Sequence, residues 1–410
     1  MLESLHEFRL GWKIILGAII GVGSGLTGIV FYTHGVFIVP IIQETGWSRG
    51  SAQFAFSFVM ITAVLTAPLV GYLTDKYGAR KLALISLVAL SITFASLSMT
   101  TNNIYFYYML WFVMSVLAAG TFPVTWTRGI NNLFDKNRGL ALGLTMMGTG
   151  LVALAGPIYA ASLIEDYGWR GAYRYIGLTI LLFSFPLVFF FFKEDNIGVS
   201  NNSKAPAKVN PYGLEVTLQQ AVKDYRFWAL GLGLLFVCYG VAGLITNLVP
   251  LLLDKGYGYK EAAKYAGLIG VMVIIGRLLV GYLIDRLPAR KVAFVFLILP
   301  ALSCILLSQS IPGAGSVVIA SLIIGLAAGA ELDLIAYMTS RYFGMKHYGR
   351  IYGAQFIFFA IGSGGAPAIF GWSNDYTGTY DFILYSTAFL FVIGASMILT
   401  MGDYSAIESE

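Results

Sequence analysis

Charge is scarce in this chain of 410 residues: Asp, Glu, Lys and Arg together make up 11% of it. A soluble domain needs about twice that share to cover its surface, so a soluble globular fold is excluded. Cysteine is scarcer still. Cys238 and Cys304 both lie in apolar stretches, and neither a disulfide framework nor a C-x-x-C site can be made from them. Histidine occurs three times, as His6, His34 and His347. With so few, and with no H-E-x-x-H, no G-x-S-x-G and no phosphate-binding loop, nothing supports a membrane enzyme, and neither a metal nor a cofactor is expected. The net charge of +5 does not indicate nucleic acid either, because the bases sit in short turns and never form a run or a stripe.

What the chain has is apolar length. Hydrophobic residues make up 58% of it and the mean hydropathy is +0.76, values that belong to an integral membrane protein. Runs of roughly 20 apolar residues, the length that crosses a bilayer, fall at about 12–40, 53–74, 83–100, 104–134, 139–163, 172–192, 225–253, 262–284, 292–311, 316–343, 351–372 and 382–401. An all-α protein with twelve transmembrane helices is expected. The first run is too long for a signal-peptide core and lacks a cleavage site, so it reads as a retained first helix.

One stretch occurs twice, as GYLTDKYGARK from Gly71 to Lys81 and as GYLIDRLPARK from Gly281 to Lys291. The offset, 281 − 71 = 210 residues, is about half the chain, which predicts two homologous halves of six helices each. Residues 1–193 form the first and residues 224–410 the second. Between them, 194–223 is a polar linker ending in a short amphipathic helix, for which Thr217 and Gln220 have the spacing of a capping box. Bases gather at alternate turns, among them Lys76, Arg80, Lys136, Arg138, Lys193, Lys204, Lys208, Arg290, Lys346 and Arg350, while the other turns are nearly neutral. Basic turns stay in the cytoplasm, so both termini are expected there.

Glycine, at 47 residues, clusters within helices. Gly17, Gly21, Gly25 and Gly28 form one small-residue stripe on the first span, and Gly139, Gly143 and Gly148 repeat the device on the fifth. The eleventh carries Gly362, Gly364, Gly365 and Pro367. Such stripes let helices approach closely and suit two bundles that rock against each other. Gly23 to Gly28 also fits G-x-G-x-x-G, but no strand precedes it, and helix packing explains it better.

The repeated turn resembles the loop between the second and third helices of the major facilitator superfamily, Gly-x-Leu-x-Asp-x-x-Gly-x-Arg-Lys, matched by Gly71, Leu73, Asp75, Gly78, Arg80 and Lys81, with Pro288 in place of the glycine in the second copy. Gly46, Trp47, Ser48 and Arg49, then Phe134 with Arg138, Gly139, Leu140, Ala141 and Gly143, then Gly168, Trp169 and Arg170 resemble the branch that holds the monocarboxylate porters and the oxalate/formate antiporters. The resemblance implies two pseudo-symmetric six-helix bundles in the inner cell membrane, monomeric and working by alternating access.

Charges inside spans cost roughly 3 kcal/mol at a helix centre unless they face protein or water, so His34, Arg128, Arg277, Glu331 and Asp333 are the candidate functional groups. The monocarboxylate porters carry an Arg four residues before the glycine that corresponds to Gly281, and there it binds the substrate carboxylate. Arg277 has that position, and its planar fork suits a carboxylate. Glu331 and Asp333 are candidate proton carriers, or else partners of Arg277 or Arg341 in a structural ion pair. Two residues apart on a helix, they point about 200° from each other and are not expected to share one cavity; Asp333 shares its face with Tyr337. The porters' Asp four residues before the arginine is Val273 here, and their first-helix Lys has no counterpart. His34 is the nearest titratable group, a proton-coupling candidate weighed against a structural histidine. Asp75, Arg80, Arg128, Asp285 and Arg290 are read as gate residues whose ion pairs form in one access state. Tyr239, Asn247 and Tyr337 are expected along the substrate path.

The expected activity is therefore secondary transport of a small organic anion together with a proton. The alternative is export of amphipathic compounds, for which Gly156-Pro157 in the fifth span resembles the end of the antiporter signature.

Overall fold

The computed structural model describes residues 2–131, 133–134, 138–193, 216–344 and 347–402, and every regular element among them is helical. Among the described residues, ten stretches are long and apolar enough to cross a membrane. One of them, Gly139–Phe191, reverses at Gly168, where φ is +69° and ψ 168°. A side chain would strain that conformation, and it breaks the stretch into two spans. A further span is assembled from Ile104–Leu117, Ala119–Thr121 and Pro123–Asn131, which brings the spans to twelve. They are α1 (residues 2–45), α2 (Arg49–Tyr77), α3 (Ala79–Met99), α4 (residues 104–131), α5 (residues 138–167), α6 (residues 169–191), α7 (Tyr225–Asp254), α8 (Tyr259–Ile284), α9 (Ala289–Ser308), α10 (Ala314–Phe343), α11 (Tyr348–Thr377) and α12 (Asp381–Leu399).

The repeat is visible in three dimensions. Position by position, residues 71–80 and 281–290 have the same order of burial and exposure. Gly78 has φ +86° and ψ 148°, whereas Pro288, in its place, has φ −55° and ψ 117°. The turn is reached from opposite sides of φ, because proline is locked near −65° and only glycine enters the positive region without cost.

The stripe on α1 serves more than one purpose. Gly17 lies against Phe192 and Gly21 beneath the Trp126 ring, and those two rings pack edge to face at 5.0 Å. Gly25 interrupts the helix with an extended backbone, and the π-helical turn Leu26–Val30 follows. The amide freed by the break at Leu26 donates to the Thr121 hydroxyl at 3.2 Å, as a break inside a membrane helix requires.

Between the halves, glycines among the described residues bring three helix pairs close together. A Cβ on Gly267 of α8 would stand 2.7 Å from the Leu154 carbonyl oxygen of α5, and Gly270 faces Gly150 of the same helix. Gly35 of α1 lies against the Thr246 carbonyl of α7, and Gly364 of α11 against Met60 of α2. Gly139 and Gly143, expected in the fifth-span stripe, have nothing within 4 Å; Gly150 takes that part. After the linker, the short helix Leu218–Ala221 carries a full capping box: Thr217 N–H donates to Gln220 Oε1 at 2.8 Å, and Gln220 N–H to the Thr217 hydroxyl at 3.3 Å. Residues 194–215 of the linker, with Lys204 and Lys208, and the turn bases Lys136 and Lys346 lie outside the described residues.

Candidate functional site

Arg277 is the centre of the candidate site. Gly276 and Gly329 bring α8 and α10 into backbone contact, Gly276 against Leu326 and Gly329 against Val273, so the Arg277 side chain, 7% exposed, is confined beside α10. Its Nε stands 3.8 Å from Asp333 Oδ2, within ion-pair range but beyond a hydrogen bond, and has no hydrogen-bond partner. Glu331 is 9% exposed, with Oε2 also unpartnered, and the Cys238 thiol of α7 lies beside its carboxyl group. Tyr32 of α1 lies within electrostatic reach of Glu331 and Arg277, and Tyr352 of α11 within reach of Asp333 and Arg277. Five helices drawn from both halves thus converge on one guanidinium.

The two acids point different ways, as helical geometry suggests. Asp333, with 35% of its side chain exposed, stands beside Arg277, while Glu331 turns toward α7; both lie within electrostatic reach of the guanidinium. Tyr32, Cys238 and Tyr352 escape a sequence search because each is an ordinary residue in an apolar span.

Other expected residues stand elsewhere. Tyr337 donates its hydroxyl to the Ile284 carbonyl at 3.1 Å, about 10 Å along α8 from Arg277, and its ring lies 5.1 Å from the Arg341 guanidinium. Tyr239 packs its ring on Phe370 at 5.7 Å. His34, 2% exposed, is wedged between Phe56 and Trp111 at ring distances of 5.5 and 5.0 Å, and both its nitrogens are unpartnered. It faces the interior of the first half, on the other side of α1 from Tyr32. Asn247 is fully engaged away from Arg277: Oδ1 accepts from Gln53 Nε2 at 2.6 Å and from the Tyr380 hydroxyl at 3.2 Å, and Nδ2 donates to the Gly243 carbonyl at 2.9 Å.

That Asn247 network belongs to one end of the bundle, where contacts cross between the halves. Arg49 of α2 holds Asp254 of α7 with two hydrogen bonds, Nη1 to Oδ2 at 2.7 Å and Nη2 to Oδ1 at 2.6 Å, and Nη1 also donates to the Tyr380 hydroxyl at 3.2 Å. The Asp375 carboxylate of α11 accepts from the backbone N–H of Arg49 at 2.9 Å and of Gly50 at 2.8 Å, the first two amides of α2, where the helix dipole favours a negative charge. Burial pushes the Tyr380 hydroxyl up to about 12, which keeps it a donor to Asn247. Tyr259 of α8 bonds the Val36 carbonyl, and Lys260 pairs with Glu165. The motif residues Trp169 and Arg170 both hold Glu44 within the first half. Gln53, Asp254, Asp375 and Tyr380 carry no signal in the sequence that sets them apart from other turn or span residues.

At the opposite end the described ion pair of the gate set stays within one half. Asp75 of α2 pairs with Arg128 of α4. Arg80 Nη2 donates to the Phe189 carbonyl at 2.8 Å, with the guanidinium 5.0 Å from that ring. Asp285 is exposed at the end of α8, and Arg290 is half-buried at the start of α9. Among the described residues no group of three or more His, Cys, Asp or Glu is placed to hold a metal ion.

Residues 20–367 match the sequence profile of the Major Facilitator Superfamily. Monocarboxylate transporter 12 of Xenopus laevis is 24% identical over 418 residues, covering 95% of this chain and 86% of its own length. An MFS-type transporter of Bacillus subtilis (strain 168), YcxA, is 24% identical over 417 residues, 96% of this chain and 95% of its own. Among solved structures, a bacterial homologue of the human lysosomal transporter Spinster, in an inward-facing and unoccupied conformation, superposes with a TM-score of 0.66 at 16% identity, over 98% of this chain and 95% of that one. At that identity the likeness is one of fold.

Proposed function

Since the chain belongs to the Major Facilitator Superfamily, and is a transporter and not an enzyme, we propose that it carries a small organic anion of the monocarboxylate class, together with a proton, by alternating access. The single observation behind the substrate class is Arg277: a guanidinium stays charged at any physiological pH, is buried here, and has an Nε without a hydrogen-bond partner. A carboxylate is the acceptor that matches it. The similarity to monocarboxylate transporters, at low identity, supports the same class.

Glu331 and Asp333 are the proton carriers in this reading, since two carboxylates beside one guanidinium leave an excess negative charge that a proton relieves. His34 is a second candidate in the first half. Residues 1–193 and 224–410 move as the two bundles, joined by 194–223. With the basic turns in the cytoplasm of a bacterial inner membrane, the end held by Arg49, Asp254 and Asp375 faces outward. The conformation is then inward-facing, and Asp75, Arg80, Arg128, Asp285 and Arg290 exchange partners when the inner end closes. Tyr32 supplies a first-half contact to cargo held by Arg277.

Uptake of radiolabelled monocarboxylates into proteoliposomes, with an inward proton gradient, is the test. Arg277→Gln is expected to abolish uptake in a protein that still purifies as a monodisperse species. Unchanged uptake removes Arg277 from the site. Protection of cells from toxic amphipathic compounds, without carboxylate uptake, selects the exporter reading.

A further inference from the structure

We propose that Tyr380 is the positioning residue that leaves Asp254 free to latch the two halves, so that at the Glu44/Asp254 repeat position the outer end is held shut by an ion pair on one side only. This rests on the alternating-access part of the reading above and is independent of the cargo. The turns at this end keep the 210-residue offset of the doubled stretch. Gly46 and Gly256 both have positive φ, 72° and 87°, and so do Gly168 and Gly378, 69° and 75°, a backbone that only glycine takes without strain. By the same offset Glu44, near the end of α1, corresponds to Asp254 at the end of α7. Arg170 corresponds to Tyr380, and Arg49, the first residue of α2, to Tyr259, the first residue of α8.

Each acid thus has one of these positions in its own half and one in the other half, and in both cases one is arginine and the other tyrosine. The order is exchanged. Glu44 is held by Arg170 of its own half, with Trp169 Nε1 donating to Oε2 at 2.7 Å, while Tyr259 from across bonds the Val36 carbonyl instead. Asp254 takes both its hydrogen bonds from Arg49, across the boundary. In its own half the counterparts of Trp169 and Arg170 are Thr379 and Tyr380, and among the described residues neither bonds it; the Tyr380 hydroxyl accepts from Arg49 and donates to Asn247, each at 3.2 Å. One guanidinium neutralises one carboxylate, so an acid paired within its own half offers no net charge to the other. An acid facing a neutral tyrosine keeps its charge and draws a cation from across the boundary. Arginine at 170 makes Glu44 a brace, and tyrosine at 380 makes Asp254 a latch. The exchange is local to these positions. Glu165 and Asp375 also correspond, and both still reach the second helix of the other half at matching sites, Glu165 to Lys260 Nζ at 2.5 Å and Asp375 to the Gly50 N–H at 2.8 Å.

Spin-label distances between the α1–α2 and α7–α8 turns of the purified full-length protein, without cargo, test this by giving the ratio of open to closed outer ends. Tyr380→Arg offers Asp254 a cation from its own half and is expected to raise that ratio at least about fivefold. Adding Arg49→Ala to it should change the ratio by less than about twofold, because Arg49 has already lost its partner. Tyr380→Phe removes the hydroxyl and supplies no cation, and should stay within about twofold of the unsubstituted protein. The exchange of Arg49→Tyr with Tyr380→Arg gives the second half the arrangement of the first at unchanged composition, and should open the outer end as far as Tyr380→Arg does.

A closed outer end in Tyr380→Arg or in the exchanged protein overturns the assignment to Tyr380. So does a further opening when Arg49→Ala is added, or an opening by Tyr380→Phe equal to that by Tyr380→Arg, which would trace the effect to the lost hydroxyl. If Tyr380→Arg does not fold, the exchanged protein decides; if neither folds, Asp254 cannot take a guanidinium from its own half and the proposal falls. Distances that no variant moves, Arg49→Ala included, overturn the alternating-access reading of this end as well.

Discussion

Arg49 and Asp254, 205 residues apart in the chain, meet in a two-pronged ion pair across the boundary between the halves. Both prongs are near ideal length, and the Tyr380 hydroxyl joins the same guanidinium. Paired geometry of this kind is stronger than a single charge contact.

That pair should bias the access equilibrium. Arg49→Ala, Asp254→Asn and the double variant are expected to shift the protein toward the state open at this end, with a coupling of about 1–3 kcal/mol between the two substitutions. Spin-label distances across the α1–α2 and α7–α8 turns report the populations. Additive effects would show that the two residues act separately.

The paired turns predict an asymmetry. Gly78→Ala forces a side chain into φ +86° and should cost about 1–2 kcal/mol, whereas Pro288→Ala, at φ −55°, should cost less than about 1 kcal/mol. Thermal melting of the two purified variants measures the difference, and equal losses would mean that the backbone at these turns is not the limiting factor.

Packing between α5 and α8 depends on Gly267. Gly267→Val places atoms against the Leu154 carbonyl and should destabilise the protein by about 1–3 kcal/mol through overpacking, seen as a lower Tm and slower uptake. Gly143→Ala, with open space around it, is the control and should leave both unchanged or slightly improved.

Glu331→Gln is expected to uncouple transport from the proton. Uptake driven by a pH gradient should fall at least about tenfold, while exchange of labelled for unlabelled cargo at equal pH continues. Preserved gradient-driven uptake would transfer the coupling to Asp333 or His34.

The twelve spans and the doubled turn were legible because membrane helices and their charged, helix-breaking turns leave compositional marks. Arg277 stood out for the same reason, as a permanent charge in apolar surroundings. Asn247 was legible as a polar residue in a span but not in its role, since its partners Gln53 and Tyr380 lie 194 and 133 positions away. Asp375 was hidden more thoroughly. It looks like any acid at a helix end, and its partners are backbone amides 326 and 325 positions away, which no side-chain pattern encodes.

Gly168 has a consequence for the chain as a whole. Its reversal turns a 53-residue stretch into a there-and-back pair, and so decides parity. Six crossings precede α7, which therefore starts from the same side as α1. Five crossings would insert the second half upside down relative to the first, and Arg277 would then enter from the wrong leaflet to face Tyr32.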